Sequence, residues 1–222
     1  MAATSGEEVN VIFLSPHFPP NFYHFCVRLR QEGVNVLGIG DCPYHLLIEG
    51  LRHCLTEYYY LPDIKVHDAM LRAVAYFIHR YGRIHRIDSL NEYWLGMEAM
   101  LREDFNIFGQ RLSDLERNRR KLGMYRVFQE HQIPCPLSEP VESLEKMLAF
   151  AEKTGYPLVL KPDVGVGASG IFKVDDEAQL ISLMSDPPHG YLAQEFIPGT
   201  VCSFDGLTDR AGNVIFCRLL SR

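Results

Sequence analysis

The sequence predicts an α/β fold: a parallel-sheet unit over about residues 9 to 110, then an α+β portion carrying a glycine-rich loop. Three observations predict it. Short apolar runs alternate with helical periodicity in the first half, the second half turns from helical to mainly β, and a cluster of glycines separates two strand-like runs there.

The first strand is Val9 to Leu14, a β-branched apolar run ending at Ser15-Pro16. Phe22, Phe25, Cys26 and Leu29 recur at helical spacing, and Gly33 stops that helix before a second apolar run, Val34 to Ile39. Leu55 to Leu61 is the third strand. Met70, Val74, Phe77, Ile78 and Tyr81 mark an amphipathic helix, Ile84 to Leu90 the fourth strand, and Tyr93 to Arg102 a further helix. Strands alternating with helices of this length indicate a doubly wound, Rossmann-like sheet. Helices follow at Leu112 to Asn118 and Arg119 to His131, and a third, capped by Ser143, runs to Gly155. The later strands are Pro157 to Lys161, Ile171 to Val174, Tyr191 to Phe196, Cys202 to Thr208 and Val214 to Leu219. One helix, about Asp176 to Met184, interrupts them.

The chain has 222 residues with 22 Lys plus Arg against 28 Asp plus Glu, a net charge of −6. That balance argues against a nucleic-acid or anionic-membrane binder, which needs clustered positive charge. The basic cluster Arg111, Arg117, Arg119, Arg120, Lys121 and Arg126 is interspersed with Asp114 and Glu116 and reads as a solvated helix face. Cys26, Cys42, Cys54, Cys135, Cys202 and Cys217 show no C-x-x-C pair and read as reduced thiols. His17 and His24 belong to no recognised metal set. With no secretory signal and no run of about 18 apolar residues, the expectation is a cytoplasmic protein with no membrane partner.

In doubly wound sheets, ligands sit at the carboxyl ends of the strands. Ser15, His17, Asn91 and Glu92 follow strands one and four and are candidates for a small-molecule substrate. Alternatively, Pro16, Pro19 and Pro20 shape a turn and Asn91 caps a helix. Gly165, Gly167 and Gly170 match G-x-G-x-x-G, yet a strand rather than a helix follows them, so the dinucleotide fingerprint does not apply. A loop with few side chains can still fold over phosphates and offer backbone N–H groups. Lys161, at the end of the preceding strand, supplies a point positive charge beneath it.

The run Arg119 to Pro136 containing Lys121, the lysine–glycine segment Tyr156 to Val174, and Tyr191-Leu192-Ala193-Gln194-Glu195-Phe196-Ile197-Pro198-Gly199 together resemble the ATP-grasp superfamily of ligases, carbamoyl-phosphate-synthase-like, preceded by that superfamily's N-terminal α/β domain. The resemblance implies a pre-ATP-grasp domain over 1–111, ATP-grasp helices and lid over 112–190, and the start of the core over 191–222. It makes Lys121 and Lys161 phosphate contacts. Gly165, Gly167, Ala168, Ser169 and Gly170 become the lid over ATP, and Gln194, Glu195, Phe196 and Ile197 the segment reading adenine. Gln194 stands where many members have glutamate, and Val201 where many have a ribose-binding acid.

The family reaction is activation of a small-molecule carboxylate as an acyl phosphate, attacked by an amine or other nucleophile. The Mg2+ ligands of the family lie further toward the C-terminus than Arg222, so the resemblance implies a chain truncated before them, and Mg2+ is expected only with that segment. Asp205 and Asp209 come too early in the pattern and read as hairpin-turn residues. No catalytic residue is assigned. The chain is expected either as the ATP-binding portion of a ligase or as a non-catalytic nucleotide- or substrate-binding module, pairing with itself or with a complementing chain.

Overall fold

Strand β1 (Asn10–Leu14) is buried along its whole length, because the two faces of its sheet are both covered. The computed structural model describes residues 8–165, 170–209 and 211–221. Residues 1–124 and 125–222 form two compact units.

In the first unit β1 leads through α1 (Tyr23–Gln31) to β2 (Asn35–Gly40), and through a 3-10 turn and α2 (Glu49–Cys54) to β3 (Glu57–Tyr60). Helix α3 (His67–Tyr81) then crosses back to β4 (Arg86–Asp88), which is followed by α4 (Leu95–Asp104) and α5 (Leu112–Arg119). All pairings are parallel, in the order β3-β2-β1-β4. Strand alternation divides the core: Ile12 and Leu14 join Leu37, Ile39, Met70, Phe77 and Leu101 on one face, whereas Phe13 joins Val36, Cys26 and Leu51 on the other. Each such buried side chain contributes about 1.5–3 kcal/mol.

Helix α6 (Lys121–Glu130) spans the division between the units. The second unit continues with β5 (Ser138–Pro140), α7 (Leu144–Thr154), β6 (Leu158–Pro162), β7 (Phe172–Val174), α8 (Glu177–Met184) and β8 (Tyr191–Glu195). Its sheet is antiparallel, order β5-β8-β6-β7. Ser143 caps α7 by accepting from the Lys146 backbone N–H at 3.3 Å, and Asp176 caps α8 by accepting from that of Gln179 at 2.8 Å. Met147, Phe150 and Ala151 of α7 and Leu180 and Met184 of α8 pack with Leu158, Leu160, Val174 and Ala193 of the sheet. Strands β9 (Cys202–Thr208) and β10 (Val214–Ser221) form a separate antiparallel hairpin.

The elements expected from periodicity are present, with three corrections. Helix α2 and the turn before it carry no apolar repeat long enough to announce them; α2 is six residues long. Strand β5, Ser-Glu-Pro, has no β propensity of its own and exists through pairing with β8. Asp205 is not a turn residue: it lies within β9 opposite Arg218. Asp209 does organise the turn, accepting from the backbone N–H groups of Ala211 at 2.8 Å and Asn213 at 2.9 Å.

Candidate functional site

The antiparallel sheet of the second unit has a polar face because its strands place alternate residues on opposite sides. Leu158 and Leu160 of β6 and Ala193 of β8 enter the helix-covered core. Val159, Lys161 and Gln194 take the other side. Ser138, Gln194 and Val159 stand directly opposite one another across β5, β8 and β6, and Lys161 is two residues further along β6. Diagonal neighbours at this spacing are within reach of long side chains.

Lys161 Nζ donates to Gln194 Oε1 at 2.7 Å and to Tyr125 Oη at 3.2 Å, and lies 5.6 Å from the Tyr125 ring centroid. The Gln194 amide Nε2 donates to Ser138 Oγ at 3.0 Å. An ammonium has three N–H donors. Among the described residues, two neutral acceptors and no carboxylate meet this one, on a half-buried side chain.

The glycine-rich segment joins β6 to β7, which pair antiparallel; this confirms a strand, loop, strand arrangement. Gly165 has φ +132° and Gly170 φ +72°, and a Cβ at Gly170 would lie 2.6 Å from Tyr191 Oη. Gly167, Ala168 and Ser169 lie outside the described residues. Glu195 is drawn away from Gln194: its carboxylate accepts from the Leu137 backbone N–H at 3.1 Å, and its own N–H donates to the Leu137 carbonyl at 2.9 Å. Phe196 and Ile197 follow β8 and are exposed, with Lys173 Nζ 5.7 Å from the Phe196 ring centroid. Lys121 is the first residue of α6, in the first unit.

The first unit carries the other sequence-predicted residues. The strand order reverses between β1 and β4, the place where open α/β sheets bind ligands. Two non-glycine residues there have left-handed backbone, Ser15 (φ 48°) after β1 and Leu90 (φ 59°) after β4. Ser15 is buried and its N–H donates to the Ile39 carbonyl at 2.8 Å. His17 Nε2 lies 3.3 Å from Asp41, while its Nδ1 is buried without a hydrogen-bond partner among the described residues. Burial lowers the His17 pKa, and the Asp41 charge opposes that shift. Asn91 acts as a cap, accepting from the Tyr93 backbone N–H at 3.1 Å, and Glu92 is exposed in the turn behind it. Among the described residues, no hydrogen bond joins any two of Ser15, His17, Asn91 and Glu92.

Sequence reading missed Tyr125, Ser138 and the buried group behind β4. Tyr125 could have been found, since it falls one helical turn after Lys121 on the same face. Ser138 could not, because β5 has no signal of its own. Behind β4, Glu98 bonds the Ser89 hydroxyl, and Arg102 bonds both Glu98 and Asp88. Among the described residues, no three His, Cys, Asp or Glu side chains converge to hold a metal, and no helix is long and apolar enough to cross a membrane.

Residues 119–219 match a family described as the ATP-grasp domain. The chain is 34% identical over 89 residues to the carbamoyl phosphate synthase large chain, C-terminal section, of Methanopyrus kandleri, covering 37% of this chain and 16% of that one. Its fold is similar to that of the L-amino acid ligase from Bacillus licheniformis: TM-score 0.67, 22% identity, 96% of this chain and 49% of the other. It is similar also to N5-carboxyaminoimidazole synthetase from Staphylococcus aureus complexed with ADP: TM-score 0.68, 13% identity, 99% of this chain and 56% of the other. The chain thus spans about half the length of these solved relatives and less of the curated one.

Proposed function

We propose, because residues 119–219 match the ATP-grasp domain family, that this chain is the ATP-binding portion of an ATP-dependent ligase. The ligase activates a small-molecule carboxylate as an acyl phosphate for attack by an amine or other nucleophile. The observation that carries this reading is the Lys161 ammonium, held by neutral partners on the polar face of the sheet and next to the strand–glycine–strand hairpin. A charge-assisted contact to phosphate is worth about 1.5–3 kcal/mol.

In this proposal Lys161 and Lys121 contact the phosphates, and backbone N–H groups of the 165–170 segment, including Gly167, Ala168 and Ser169, cover them. The base is read along 194–197. The carboxylate is taken up near Ser15, His17, Asn91 and Glu92, at the carboxyl ends of the parallel strands. The same reading divides the chain at 1–111, 112–190 and 191–222, with a cytoplasmic setting and either self-association or a complementing chain. Magnesium would offset phosphate charge; the described residues present no ligand set for it.

The test is titration of the 222-residue chain with ATP, with and without Mg2+, alongside Lys161→Ala, and an assay of ADP release. Binding that weakens by about tenfold or more in Lys161→Ala supports the site. Metal-strengthened binding with ADP release supports the ligase. Metal-indifferent binding without release supports the alternative, a non-catalytic nucleotide- or substrate-binding module, in its nucleotide-binding form, and no ATP binding at all overturns the ATP-binding reading in either form.

A further inference from the structure

We propose that the groove between α1 and the edge strand β4 binds a zwitterion with an apolar side chain, of the size and chemistry of a single apolar amino acid. The site lies within the first unit and does not rest on the ATP-binding reading.

Strand register and helical spacing together build the groove. Strands β1 and β4 pair in parallel with Val11 beside Arg86 and Phe13 beside Asp88, so these four side chains share one face of the sheet, while Ile12 and Ile87 enter the core on the other. Helix α1 covers part of that first face, where Cys26 packs with Phe13 and Val36. Phe25, Arg28, Leu29 and Glu32 follow the i, i+3, i+4, i+7 spacing of one helix stripe, and this stripe is the wall opposite β4. Because β4 is the outermost strand of the sheet, a cavity of about 340 Å³ remains over it. Small-ligand sites run from about 300 to 1,000 Å³, so the volume suits one compact molecule.

The floor is apolar and the rim carries both signs. Val11 and Phe13 are buried at the base, and Phe25 stays 49% exposed on the wall. Arg28 donates to the neutral Gln31 amide oxygen at 2.8 Å, and Arg86 donates to the His85 carbonyl at 2.7 Å with its guanidinium 4.5 Å from the Phe108 ring centroid. Asp88 is bonded by Arg102. Arg28 and Glu32 lie one turn apart, yet among the described residues neither is in an ion pair. A carboxylate thus meets guanidinium donors, an ammonium meets Glu32, and an apolar side chain lies on the floor. Leu90, exposed at the end of the groove, has left-handed backbone with φ 59°, a strained conformation that clusters at ligand sites.

The test titrates phenylalanine, phenethylamine and 3-phenylpropionate into the wild-type chain, Phe25→Ala, Glu32→Gln and Arg28→Gln, with thermal melts to confirm folding. Phenylalanine is expected to saturate with a dissociation constant of about 1 mM or tighter, and to bind more tightly than either singly charged analogue. Phe25→Ala should weaken all three ligands about tenfold. Glu32→Gln should weaken phenylalanine and phenethylamine about two- to fivefold and leave 3-phenylpropionate unchanged, and Arg28→Gln should weaken phenylalanine and 3-phenylpropionate by a similar factor and leave phenethylamine unchanged. A merely structural role would move all three ligands together. No saturation by phenylalanine, equal binding of the three ligands, or charge variants that do not discriminate between them overturns the site. Should Phe25→Ala fail to fold, the two charge variants decide. Lys161→Ala is expected to bind phenylalanine as the wild type does, so failure of this site and failure of the ATP-binding reading are told apart.

Discussion

Arg102 Nη2 lies 3.0 Å from Glu98 Oε2, one turn earlier on α4, with both side chains almost fully buried. The same guanidinium reaches Asp88, the last residue of β4, at 2.7 Å and the Ile87 carbonyl within the strand. Burial raises the pKa of both carboxyls, against the lowering effect of the Arg102 charge. Arg102 thus ties α4 to the strand end that flanks the strand-order reversal.

Arg102→Ala should destabilise the first unit by about 3–5 kcal/mol, because it strands a buried carboxylate. Urea unfolding measures it. The sign with pH follows from the raised carboxyl values: without Arg102 they rise further, so stability is lost as pH rises through them. The variant should be closer to wild type near pH 5 than near pH 8. Equal destabilisation at the two pH values would contradict the assignment.

His17 behaves in the opposite sense. Its folded-state pKa is lowered by burial, so the unfolded chain binds the proton more readily and stability falls as pH drops through the ordinary imidazole value of about 6.5. His17→Gln should show a shallower loss of stability between about pH 7 and 5. An unchanged slope would mean that other groups carry the acid sensitivity.

Gly170→Ala places a Cβ 2.6 Å from Tyr191 Oη at a backbone φ of +72°. Left-handed backbone alone costs a non-glycine residue about 1–2 kcal/mol, and Tyr191 must also shift. A drop of about 1–3 kcal/mol in the unfolding free energy is expected, with ATP affinity reduced in parallel because the glycine segment is re-aimed.

ATP in excess should stabilise the folded chain by mass action, by about 2.7 kcal/mol at a hundred times its dissociation constant. Lys161→Ala should lose most of that gain while its melting temperature without nucleotide stays near that of wild type. A thermal shift series with ATP checks both halves of the statement.

Periodicity and turn chemistry were enough to recover the alternating first half, the cap at Ser143, and the strand–glycine–strand segment. Each of these is written in consecutive residues: apolar spacing, a short polar side chain before a helix, glycines between two apolar runs. Lys161 could be singled out for the same reason, and Gln194 through the family resemblance of its segment. What linear order could not supply was their bond, since they lie 33 positions apart and meet only because β6 and β8 are neighbours in register. Strand β5 and Ser138 depend on that pairing as well, and the Ser89–Glu98–Arg102–Asp88 group depends on α4 packing behind β4. Local preferences act within a helical turn or a strand pleat. The Lys161–Gln194 bond and the burial of Arg102 arise from contacts between distant segments, and only the packed chain decides which polar groups share a face.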